Sequence, residues 1–223
     1  MAEKLSTLDG GAWFFNVSLK HFFNQSNFST MKHVKFLSLL LAIAVCTLPA
    51  CNTDKPKDSE KMADKANDAK TETNRSEEDA ELLVNAVSSD MYEVSSAEVA
   101  ASMATQASVK EFATMMMSMH RTMMDETKML ASKKAYTVPT TMANDYMTQV
   151  EDMKKWAKGK EFDTKYMKGQ VDQHQDMLDN IEKRMAATAD SDIKAWAQKA
   201  SSGVRMHLDK AKTISDQLNT VYK

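Results

Sequence analysis

The chain has 223 residues, with 29 Lys and Arg against 31 Asp and Glu and a formal net charge of −2. This mixed charge carries no basic stripe, so nucleic-acid binding, which needs clustered Lys and Arg, is excluded. The sequence also lacks a phosphate-cradling glycine loop and any serine in a nucleophile-elbow context.

Residues 1–30 hold Trp13, several Phe and the acidic Glu3 and Asp9. They precede a better start at Met31 and are expected to be a mis-called N-terminal extension, absent from the native product. The alternative is a genuine extension. From Met31 the order is a basic stretch, Lys32-His33-Val34-Lys35, an apolar run Phe36–Val45, and then Leu48-Pro49-Ala50-Cys51. Basic region, apolar core and a small residue before a cleavage point make a secretory signal over 31–50. The run is about ten residues, short of the roughly 20 that span a bilayer as a helix. A cysteine directly after the small residue resembles the bacterial lipobox, which makes Cys51 the lipidation residue and membrane attachment the expected partner interaction. Pro49 departs from the usual Ala, Ser or Thr. The competing reading is an ordinary cleaved signal with an incidental cysteine.

Residues 51–79 are mostly Lys, Asp, Glu, Asn, Ser, Thr and Ala. Such a composition cannot bury enough apolar surface to offset ordering entropy, so a disordered tether is expected. With Cys46 lost with the signal and Cys51 lipidated, the domain that follows has no cysteine. Disulfides and thiolate metal sites are excluded there.

From 80 to 223 the only proline is Pro139, and the glycines are Gly159, Gly169 and Gly203. Few breakers and repeated three/four apolar spacing predict an all-α domain. The spacing places helices near 80–105, 109–133, 141–157, 161–187 and 192–221. Ser108-Val109-Lys110-Glu111 reads as a capping box for the second, Gly159 as the stop of the short one, and Asp190 or Ser191 as the cap of the last. Four long helices with short connections predict an antiparallel four-helix bundle, with the short helix between the second and third long ones.

Three of these helices carry a lone histidine on an apolar stripe. His120 follows Val109, Phe112, Ala113 and Met116; His174 follows Met167 and Gln170; His207 lies between Ala200 and Ala211. Steps of three and four keep residues on one helix face, so packing of the helices brings three imidazoles into one core. Each buried ring nitrogen needs a partner, which implies either a hydrogen-bonded network or a metal ion such as copper, iron or zinc. Glu93 on the first long helix can add a carboxylate. Asp163 lies eleven residues before His174, about 16 Å along a straight helix, and is therefore a cap or a supporting group and not a co-ligand. The residues three before the histidines are Met117, Val171 and Val204. The Glu-x-x-His repeat of di-iron bundles is absent, which disfavours an ordinary di-iron oxidase or storage centre. Methionines crowd around His120 at Met115, Met116, Met117, Met119, Met123 and Met124. Thioethers with imidazole suit copper(I), but methionine also fills irregular helical cores, and many of these lie on core stripes.

Laid out this way, residues 85–220 resemble a widespread bacterial family, the ferritin-like domain of unknown function 4142, often labelled an outer membrane protein. The resemblance rests on Glu93, Val99-Ala100, Val109-Lys110-Glu111-Phe112-Ala113 and His120. It continues through Phe162-Asp163, Tyr166, Gln170-Val171 and His174-Gln175 to His207 and Ala211. Two positions depart from it. The family commonly has Asp before the first histidine, where this chain has Met119, and Gly four residues after the glutamate, where it has Ala97. The resemblance implies a ferritin-like fold and an envelope location, expected at the outer membrane facing the periplasm, and carries over no activity. The leading expectation is a non-enzymatic envelope binding protein holding a metal through Glu93, His120, His174 and His207, with Asp163 and Tyr166 in support. The alternatives are a metal-dependent redox enzyme and a structural or interaction module with a metal-free histidine network.

Overall fold

A computed structural model describes residues 57–223. The extension, signal and lipidation site expected over 1–51 lie outside the described residues. Within them the chain is all-helical: α1 (Ser59–Asp68), α2 (Asn74–Met103), α3 (Ala107–Lys133), α4 (Asn144–Met153), α5 (Lys160–Ala187) and α6 (Ser191–Val221). No described helix is long and apolar enough to cross a membrane.

Helix α2 packs along α3, and α5 along α6; α2 also meets α5, and α3 meets α6. The buried apolar residues fall into two groups. One gathers Phe112, Met116, Phe162, Met167, Ile214 and Leu218. The other gathers Leu83, Leu178, Ile181, Ile193, Val204 and Leu208. Removing a large side chain of this kind from water contributes about 1.5–3 kcal/mol. The buried polar residues Glu93, His120, His174 and His207 fall in sequence at or beside the points where α2, α3, α5 and α6 pass from one group to the other. A polar layer therefore lies between two apolar ones.

Several local expectations need correction. Residues 59–68, expected within a disordered tether, form α1. Asp58 caps it by accepting from the Glu60 N–H at 3.1 Å, and Ala63 and Asn67 are buried. Asn67 replaces apolar burial with pairing: its amide donates to the Thr137 carbonyl at 2.9 Å and accepts from the Thr137 N–H at 2.7 Å. Helix α2 begins at Asn74, six residues early, because Thr73 and Ser76 form a reciprocal capping box. The capping box expected at Ser108 is not used. Helix α3 starts at Ala107 with Gln106 as N-cap and no capping side chain of its own. Asp163 of α5 serves that turn instead, accepting from the Thr105 N–H at 3.0 Å and the Gln106 N–H at 3.1 Å. Gly159 does not stop α4, which ends at Met153; with φ at 89° it is the N-cap of α5. Asp190 caps α6 as expected, through the N–H groups of Asp192 and Ile193.

Helix α3 ends in a Schellman motif. Tyr136 N–H donates to the Ala131 carbonyl at 2.9 Å and Ala135 N–H to that of Ser132 at 3.1 Å. Ala135 takes the left-handed position with φ at 58°, where glycine is the usual residue.

Candidate metal centre

The three histidines meet. Ring centroids are 5.6 Å apart for His120 and His174, 5.0 Å for His120 and His207, and 5.4 Å for His174 and His207. One ring nitrogen from each lies within 4.8 Å of one from the others. All three side chains are buried, at 4%, 2% and 0% exposure.

Each ring has one nitrogen committed elsewhere. His120 Nδ1 faces Asp90 Oδ1 of α2 at 2.7 Å. His174 Nδ1 lies 2.9 Å from the Gln170 carbonyl, one turn back on α5. His207 Nε2 lies 3.3 Å from the Met119 thioether. A carbonyl oxygen and a thioether sulfur only accept, so those nitrogens of His174 and His207 carry the protons. The carboxylate of Asp90 sets His120 the same way. Left without a partner are His120 Nε2, His174 Nε2 and His207 Nδ1, the nitrogens that hold a lone pair in these tautomers.

Glu93 completes the layer. Its Oε2 accepts from Gln170 Nε2 at 2.8 Å, and its Oε1 lies 4.0 Å from His174 Nδ1. Burial pushes its carboxyl above the usual range, partly offset by His120 and Gln170. Burial likewise raises Asp90, against the pull of His120. For His120 burial lowers the pKa, but the Asp90 hydrogen bond and the charges of Glu93 and Asp90 outweigh it and leave the ring above its ordinary value. Burial and the neighbouring His120 lower His174 to about 3 and His207 to about 3, so both are neutral at physiological pH.

The supporting residues named from sequence divide. Tyr166 is buried against Phe112 and Phe162. Its hydroxyl has no partner, and burial with the Glu93 charge holds it well above the ordinary phenol range. Asp163 bonds Thr105, Gln106 and the Tyr222 hydroxyl at 2.6 Å; none of these bonds reaches a histidine. Three residues that sequence reasoning did not assign to the site are Asp90, Gln170 and Met119. Asp90 lies one turn before Glu93 and Gln170 one turn before His174 on the same faces, and Met119 stood among the methionines around His120.

A tetrahedral ion with bonds of about 2.0–2.1 Å holds neighbouring nitrogens about 3.3 Å apart. The 4.8 Å spread therefore needs inward rotation of the rings. The donor set of imidazoles beside a carboxylate suits zinc, copper or iron.

The sequence profile of a family described as a domain of unknown function, DUF4142, matches residues 63–214. That stretch includes every residue of the histidine layer. No curated protein and no solved structure matches the chain.

Proposed function

We propose that this chain, which belongs to the DUF4142 family, holds one transition-metal ion through His120, His174 and His207, with Glu93 as a nearby carboxylate. The observation that carries this reading is the arrangement of tautomers. Three buried rings each turn one nitrogen to an outer acceptor and leave the other without a partner, and the rings bring one nitrogen each within 4.8 Å of one another. Orientation of metal-binding histidines by carboxylates and carbonyls is the usual supporting pattern. Lone pairs cannot satisfy one another, and a cation satisfies all three.

The surrounding reading is a cell-envelope lipoprotein, anchored by lipid at Cys51, with a ferritin-like four-helix arrangement of α2, α3, α5 and α6 facing the periplasm. The short links after α2 and α5 and the longer passage through α4 support that topology. The role is binding rather than turnover; a metal-dependent redox enzyme is the alternative, separated from it by peroxide and oxygen turnover assays on loaded protein. The second reading, a metal-free network, rests on the Asp90 carboxylate 2.7 Å from His120 Nδ1, a partner that favours a charged ring able to donate to its neighbours.

Elemental analysis and zinc, copper and iron titrations of the full chain, purified without a histidine tag, test the central reading. One equivalent bound in wild type and lost in His207→Ala supports it. No binding of any of the three, with a melting temperature indifferent to chelator, refutes it. For the anchor, Cys51→Ser should move the protein out of the detergent phase or leave unprocessed precursor.

A further inference from the structure

A cavity of about 300 Å³ adjoins the histidine layer and is lined from all four long helices. Met123, Met177, Ile181 and Trp196 are among its apolar lining, and Asp90, Glu93, His120, His174, Glu126 and Gln173 among its polar lining. Ser118, Thr122 and Lys199, which are exposed, also border it. His207 does not line it. The Nε2 atoms of His120 and His174 lack partners in residues 4% and 2% exposed. Two buried acceptors in a mostly apolar cavity call for a molecule with a hydrogen-bond donor and a mainly apolar body.

We propose that this cavity binds a small neutral phenol, its ring among Trp196, Met123 and Met177 and its hydroxyl at His120 and His174. Size sets the body: an apolar cavity of about 150 Å³ already admits benzene, so a substituted ring fits here. Wall chemistry favours an aromatic ring, since indole and thioether both make good contacts with one. The polar lining selects the head. A carboxylate would face Asp90 and Glu93, and an ammonium would have to shed its hydration in a mostly apolar cavity. A hydroxyl donates to free imidazole and can also approach a bound cation through oxygen. The proposal uses two of the histidines assigned to the metal but does not require the metal.

The test uses the full chain, untagged and chelator-stripped, titrated calorimetrically with p-cresol, toluene and 4-methylbenzoate. One equivalent of p-cresol is expected, at least about tenfold tighter than either other probe, the usual scale of one buried hydrogen bond. Gly203→Leu is the cavity variant. A Cβ there would meet only Met123, with Sδ at 3.8 Å, and the longer side chain continues into the space. It should weaken p-cresol at least about tenfold while zinc titration stays unchanged. His174→Gln should bring p-cresol to the level of toluene. Toluene matching p-cresol, or p-cresol failing to saturate wild type at millimolar concentration, overturns the proposal without any variant. Cresol binding without zinc binding would sink the metal reading and leave this one standing; the reverse would do the opposite.

Discussion

His120 Nδ1 lies 2.7 Å from Asp90 Oδ1, a bond that joins α3 to α2 between two buried side chains. It fixes which nitrogen of His120 points away from the carboxylate, and so which one is offered to His174 and His207. Asp90→Ala strands the Nδ1 proton and should cost about 1–3 kcal/mol in urea unfolding of metal-free protein. Zinc affinity should fall about 10- to 100-fold, the usual effect of losing an outer partner of a ligating histidine. Asp90→Asn keeps an acceptor and should lose less of both. Unchanged affinity in the alanine variant would show that Asp90 does not orient the ring.

Glu93 separates a metal site from a packing network. Its carboxyl is 2% exposed and raised by burial. Glu93→Gln removes a charge that burial disfavours while keeping the shape. Metal-free protein should be as stable as wild type or more so, by up to about 1–3 kcal/mol. Zinc affinity should drop at the same time. Stability falling while zinc affinity stays unchanged would mean that the charge serves packing alone.

The sequence made the long helices legible because each buries a stripe wide enough to show at three/four spacing. Helix α1 was hidden because its buried face is Ala63 and Asn67, and its hydrogen bonds to the domain run to the distant Thr137 and Thr140. The histidines stood out as polar breaks in apolar stripes. Their partners did not. Gln170 acts on His174 through its backbone carbonyl, which any residue possesses. Met119 precedes His120 in the chain yet bonds His207; neighbours on a helix point about 100° apart, so the pairing is tertiary and leaves no local pattern.

Asp163 is a fastener at one end of the domain. Its carboxylate takes the N–H groups of Thr105 and Gln106, the Thr105 hydroxyl at 2.7 Å and the Tyr222 hydroxyl at 2.6 Å. Asp163→Ala strands these donors and should lower stability by about 2–3 kcal/mol, as loss of a charged acceptor does. Zinc stoichiometry should stay at the wild-type value. A variant that folds normally but no longer binds zinc would return Asp163 to the metal centre.

Ala135 holds a left-handed backbone, φ 58°, where α3 ends. Ala135→Gly relieves the Cβ clash and should raise stability by about 1 kcal/mol, less the entropy that glycine gains on unfolding. A lower melting temperature in the glycine variant would show that the entropy term prevails.

Asp64 sets a pH dependence remote from the histidines. It is half-buried on α1, and burial together with the charges of Glu60, Glu81, Asp68 and Asp58 pushes its carboxyl up from 3.8 to about 6. The folded state therefore keeps a proton that the unfolded chain has released. Between the two values folding takes up protons, so this group's contribution to stability is present in acid and declines as pH rises from 3.8 to about 6. Above that window the charged form is disfavoured in full. Asp64→Asn removes the effect and should melt higher than wild type at about pH 7. The difference should shrink through the window and vanish near pH 4, where both side chains are neutral. Glu81→Gln, which removes one of the repelling charges, should move the melting temperature the same way by less. An Asp64→Asn protein that melts below wild type at neutral pH would mean that the carboxylate is held by a favourable contact and that the acidic surroundings of α1 do not govern its titration.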